Sequence, residues 1–284
     1  MIGTGAFTSL GFQLKDLNNP SVVLTLWVLG GILALSGAFS YAEVGTVISK
    51  SGGEYAFLSK IYNPLIGYLS GWISLTVGFA APIAFSEYFP FGNFNVKWMS
   101  IALVAVITLI HTRSLKLSAE FQNISTLLKV ILIVIIISIG LVLPEHSGNE
   151  IVSSKGYFTE LTSTAFAIAL IYVSYSYSGW NAAAYITEEF ENPLKSLPKA
   201  LIGGTVLVTV LYTLLQYVFL KHVPVNDLAG QLNVGTIATK QMLGEKAGSF
   251  FGLAISLLLI SGISAMVWVG PRVTLSIAKE HRLW

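Results

Sequence analysis

The chain has 284 residues, 54% of them hydrophobic and 11% charged, with a formal net charge of +2 and a mean hydropathy of +0.73. Soluble domains carry about 25% charged residues, so this composition cannot cover a water-facing surface and defines an integral membrane protein. Basic residues standing singly between apolar runs exclude a nucleic-acid partner, and the absence of cysteine excludes disulfides, thiolate metal sites and cysteine nucleophiles.

The chain opens on an apolar stub, Met1 to Leu14, without the basic start of a signal peptide; it reads as half of a helix whose beginning lies before this chain. Seven spans follow: Leu17 to Ala42, Ile61 to Ser86, Trp98 to Thr112, Phe121 to Pro144, Leu161 to Thr187, Ala200 to Leu220 and Ala247 to Pro271. A crossing helix needs about 20 apolar residues; six spans meet that length and Trp98 to Thr112 is short. Nine basic residues (Lys50, Lys60, Arg113, Lys116, Lys195, Lys199, Arg272, Lys279 and Arg282) fall on one side and six (Lys15, Lys97, Lys155, Lys221, Lys240 and Lys246) on the other. The positive-inside rule makes the first side cytoplasmic. The pairs Gly67 with Gly71 and Gly248 with Gly252 fit close helix packing in a bundle.

The uncharged run Leu161 to Thr187 has its midpoint at Ser174, inside Val173-Ser174-Tyr175-Ser176-Tyr177-Ser178-Gly179-Trp180-Asn181. This weak helix former at the bilayer centre predicts a break, with a continuous helix as the alternative. Backbone freed at membrane depth must be buried in protein or line a polar cavity. The second half of a broken helix offers N–H donors and a positive dipole end to a carboxylate, and the first half offers carbonyls to an ammonium, which together suit a zwitterion. Ile2-Gly3-Thr4-Gly5-Ala6-Phe7 is a second stretch able to unwind. If residues 1–144 form a first repeat, lacking the start of its first helix, and residues 159–284 part of a second, an odd number of spans inverts the second against the first.

Lys129 is the one ionisable side chain well inside an apolar span, about 10 Å from the edge of a ~30 Å hydrocarbon core at 1.5 Å per residue. Two roles fit a buried amine there: exchanging a proton, or supplying a fixed positive charge in place of a metal cation. A snorkelling lysine is the structural alternative. Glu43, Glu87 and His111 fall at span ends and read as interfacial; Glu188 with Arg272 is a candidate pair at the cytoplasmic mouth, with two solvated loop charges as the favoured alternative. Paired intramembrane carboxylates, metal-ligand clusters and a nucleophile beside a histidine do not occur in the sequence pattern, which argues against an intramembrane enzyme and predicts no metal and no cofactor.

Four patches carry a family resemblance: Ile2 to Phe7; Tyr41 to Gly45 with Ser51-Gly52-Gly53-Glu54-Tyr55; Tyr177 to Asn181 through Thr187-Glu188-Glu189 to Pro198; and Gly270-Pro271-Arg272. The chain resembles the amino acid-polyamine-organocation permeases, particularly bacterial relatives of L-type amino acid transporters. The resemblance implies an all-α membrane protein with a LeuT-type inverted-repeat bundle, truncated to the end of helix 1 through helix 8. It implies that Gly3, Thr4 and Gly5 take a substrate carboxylate and that the carbonyls of Ile2, Tyr175, Ser176 and Ser178 are candidates for its ammonium. Tyr175 would stand as an aromatic gate, Tyr177 within the same segment, and Ser178 with Trp180 would shape the side-chain pocket. Lys129 would occupy the place of an ion in sodium-coupled relatives, implying sodium-independent exchange or proton symport. The partners implied are an amino acid, the lipid of the cell membrane and protons, with a non-transporting truncated permease or membrane assembly subunit as the alternative.

Overall fold

A computed structural model of the chain describes residues 2–3, 5–77, 96–145, 147–149, 151 and 156–280. Thr4, Glu87, Lys155 and Arg282 lie outside the described residues, as does the second part of the predicted span Ile61 to Ser86. All regular elements among the described residues are helices, in the order α1 (Gly5–Gln13), α2 (Pro20–Val47), α3 (Glu54–Ile61), α4 (Pro64–Val77), α5 (Val96–Arg113), α6 (Leu115–Val142), α7 (Tyr157–Leu161) and α8 (Thr164–Tyr177). A 3-10 half-helix (Trp180–Glu189), α9 (Pro193–Pro198), a π turn (Lys199–Gly203), α10 (Gly204–His222), α11 (Val225–Leu228), α12 (Val234–Leu243) and α13 (Glu245–Glu280) complete it.

Among the described residues, four helices have the length and apolarity to cross a membrane: Pro20–Val47, Ser118–Val142, Pro193–His222 and Glu245–Glu280. On α2, Val28, Leu29, Ile32, Leu33 and Phe39 are exposed at helical spacing, and on α6 so are Leu127, Leu128, Ile131, Val134 and Ile135. Apolar faces turned outward at that spacing are what a helix in lipid requires.

Local chemistry sets several ends. The Asn19 side chain accepts from the Ser21 N–H at 3.0 Å and Pro20 occupies the first turn, so α2 begins three residues later than the apolar run. The predicted end at Pro271 is corrected: α13 continues to Glu280, with Pro271 inside it. Val273 and Ile277 beyond the proline are buried against Tyr55 and Tyr185, and that packing outweighs the lost backbone hydrogen bond.

The core lies where α1, α2, α8 and α10 meet. Trp27, Tyr177 and Tyr212 form its centre, with ring centroids 5.2 to 5.9 Å apart. The Tyr177 hydroxyl donates to the Trp27 carbonyl at 2.9 Å, so the buried phenol is satisfied.

Candidate functional site

The helix begun at Thr164 stops at Ser178, whose ψ is 153°, and Gly179 follows at φ +85°. A side chain at that φ is disfavoured, which is why the chain turns at a glycine rather than within the preceding Ser-Tyr run. The break therefore falls four residues beyond the predicted midpoint at Ser174. Val173 and Tyr177, both buried in the core, hold the intervening turn helical.

The broken helix packs against the start of α1. A Cβ on Gly5 would lie 2.7 Å from the Ser176 Cα, so the two backbones approach as closely as glycine permits. The Ser176 hydroxyl donates to Ser9 Oγ at 2.8 Å, and Gln13 Nε2 donates to the same oxygen at 3.2 Å. Gln13 Oε1 accepts from the Trp27 indole at 2.9 Å, extending one buried polar chain from α8 through α1 to α2.

Side chains from two other helices grip the opening of α1. Lys129, 4% exposed on α6, donates from Nζ to the Ile2 carbonyl at 2.5 Å. Gln216, fully buried on α10, donates from Nε2 to the Ala6 carbonyl at 2.8 Å. One turn earlier, the Tyr212 hydroxyl is in hydrogen-bonding contact with the Gly3 backbone. Lys129 thus reaches inward to protein rather than snorkelling to an interface.

The structure brings Ile2, Gly3, Gly5, Ser176 and Lys129 together, leaves Ser178 at the break, and turns the Tyr175, Tyr177 and Trp180 side chains elsewhere. Tyr175 is exposed and its carbonyl accepts the Ser178 N–H at 3.0 Å. Tyr177 points into the aromatic core. Trp180 lies on α2, where a Cβ on Gly37 would meet its ring at 2.6 Å, with the Tyr41 ring 4.8 Å away centroid to centroid.

Sequence reasoning missed Ser9, Gln13, Tyr212 and Gln216. Gln216 was detectable as the lone amide in the run Ala200 to Leu220, and Ser9 with Gln13 as an i, i+4 polar pair on one face of the stub. The Glu188 pairing is corrected: Arg272 bonds Glu189, Nη2 to Oε1 at 2.7 Å, while the Glu188 N–H donates to Ser51 Oγ at 3.0 Å. Glu189 is one step further round the half-helix and faces α13. His111, read as interfacial, bonds Ser264 Oγ at 2.9 Å and borders a cavity of about 490 Å³ between α5 and α13.

A multi-pass helical membrane protein with a helix broken at depth beside a second, glycine-opened helix is the architecture of a membrane permease. The amino acid permease family profile matches residues 1–283, and the chain belongs to that family, part of the amino acid-polyamine-organocation superfamily with its LeuT-type fold. It is 35% identical over 241 residues to the b(0,+)-type amino acid transporter 1 of Homo sapiens, an alignment covering 80% of this chain and 50% of that protein. To the serine/threonine exchanger SteT of Bacillus subtilis it is 28% identical over 298 residues, covering 100% of this chain and 66% of that protein. To the Asc-type amino acid transporter 1 of Mus musculus it is 27% identical over 304 residues, covering 100% of this chain and 56% of that protein. The chain spans about half the length of the first of these relatives.

Proposed function

We propose that this chain forms the substrate-binding part of a secondary transporter, not an enzyme, that moves neutral L-amino acids across the cell membrane by alternating access. The observation that carries the reading is the break at Ser178–Gly179 packed against the opening of α1, with the Lys129 ammonium on the Ile2 carbonyl. Backbone N–H groups at the start of the half-helix and at Gly3 to Gly5 would take the carboxylate, and carbonyls at Ile2, Ser176 and Ser178 the ammonium. Ser178 would help to shape the site at the break, while Tyr175, Tyr177 and Trp180, whose side chains face away from it, would act through the backbone of the broken segment. Lys129 supplies a fixed positive charge where a cation would otherwise neutralise the carbonyls, which favours sodium-independent exchange or proton symport. In this reading residues 1–144 and 159–284 are inverted repeats, with α1 and α8 in corresponding places, and the end carrying Lys50, Arg272 and Lys279 is cytoplasmic.

Ligand-dependent melting tests the binding half of the reading. A ligand of the folded state stabilises by about 2.7 kcal/mol at a hundredfold excess over Kd. A saturable rise in Tm with one or more neutral L-amino acids is expected, and a panel in which no amino acid shifts the melt refutes it in favour of a non-transporting permease or assembly subunit.

A further inference from the structure

Just beyond the break, the half-helix is held by a constellation centred on Glu54, the first residue of α3. Its carboxylate collects three donors from two elements. The Tyr41 hydroxyl on α2 reaches Oε1 at 3.2 Å; on the half-helix, the Asn181 amide reaches the same oxygen and the Tyr185 hydroxyl reaches Oε2. All three partners are neutral, whereas the cations Lys50 and Arg272 pair with Glu280 and Glu189. The loop leading into α3 lies along the same half-helix. The Gly52 N–H donates to the Tyr185 carbonyl at 3.2 Å and the Gly53 N–H to the Ala184 carbonyl at 3.3 Å. Gly53 has φ +56°, and a Cβ there would meet the Tyr185 ring at 2.7 Å, so only glycine lets the loop lie this close. The loop is tied onward to α13, where the Ser276 hydroxyl donates to the Ser51 carbonyl at 3.0 Å.

Asn181 and Tyr185 lie at the start and in the middle of the half-helix that begins at the break, so one carboxylate holds its first two turns. The half-helix can move relative to α8 only about Ser178–Gly179, and moving it requires these bonds to part. Hydrogen bonds to an ionised acceptor are about twice as strong as neutral ones, and a carboxylate stripped of its donors in a half-buried place is costly, so the constellation acts as a unit.

We propose that Glu54 is a positioning residue for the substrate site: it clamps the half-helix Trp180–Glu189 so that its first-turn N–H groups face α1, and release of this clamp is the step that swings the half-helix away. The proposal rests on the transporter reading for what the site binds, but the clamp itself is a statement about two conformations.

The absence of cysteine makes introduced thiols unique reporters. Thr187→Cys places one at a fully buried position of the half-helix, and Ala169→Cys places one at a buried position of α8 before the break. Each is combined with Glu54→Gln, Tyr185→Phe or Tyr41→Phe in the intact protein, and maleimide labelling is timed alongside amino-acid uptake. Glu54→Gln is expected to speed labelling at position 187 by about tenfold, the ratio controlled by one hydrogen bond to a charged group, and to leave position 169 within about twofold. Tyr185→Phe and Tyr41→Phe should give smaller increases at 187, and Glu54→Gln should raise the KM for uptake. Equal acceleration at both positions means general loosening and overturns the proposal, as does an unchanged rate at 187 in a monodisperse Glu54→Gln protein. Selective acceleration at 187 in a protein that transports no amino acid upholds the clamp while removing the transporter reading.

Discussion

Lys129→Met separates two roles that a buried lysine combines. The side chain is 4% exposed and its ammonium donates to the Ile2 carbonyl at 2.5 Å, at the opening of α1. A hydrogen bond to a charged group contributes about 1.5–3 kcal/mol, so without it the population with the α1 opening in place should fall by roughly ten- to a hundredfold. Methionine fills similar volume without a charge, and removing a buried ion relieves a desolvation penalty of several kcal/mol. The two effects have opposite signs on different readouts. Uptake into proteoliposomes should fall by about ten- to a hundredfold while the Tm of the purified protein holds or rises. Uptake within twofold of the parent refutes the tether, and loss of uptake together with a lowered Tm shows that Lys129 serves folding instead.

Gly5→Ala should lower stability by about 1–3 kcal/mol in a melting experiment, and adding Ser176→Ala should restore it only in part, because the added Cβ meets the Ser176 Cα at 2.7 Å and Cβ at 2.8 Å as well as its hydroxyl at 2.6 Å. Gly179→Ala should cost about 1–2 kcal/mol from its φ of +85°, with Gly179→Asn milder. Gln216→Leu should stay within about 1 kcal/mol of the parent by the same measurement. It loses the bond to Ala6 but also removes a buried Oε1 that has no partner among the described residues, whereas Gln216→Glu buries a charge and should be strongly destabilising. Arg272→Ala should cost no more than about 1 kcal/mol, and less at high salt, since both partners of its ion pair with Glu189 keep contact with solvent.

The spans were legible because apolar length is a property of composition alone, and α2, α6, α10 and α13 follow from it. Their ends were not, since each depends on a particular contact: the Asn19 cap starts α2, and the packing of Val273 and Ile277 carries α13 through Pro271. The broken helix was legible as a weak helix former at mid-membrane, but propensity could not say which turn gives way. Burial of Tyr177 held one turn and the φ of Gly179 fixed the next. Lys129 stood out as a lone charge, yet its partner lies 127 positions earlier in the chain and no local pattern announces it. Glu54 was visible only as part of a recognised patch. Its meaning comes from Asn181 and Tyr185, brought to it by the close approach of the Gly52-Gly53 loop.

The most direct test of the central claim is uptake of radiolabelled neutral L-amino acids into proteoliposomes carrying the protein, with and without sodium, with an imposed proton gradient, and with unlabelled amino acid inside. The account predicts saturable uptake that does not need sodium and is stimulated by the gradient or by internal amino acid. Absence of uptake for every amino acid by a monodisperse, folded protein would contradict it.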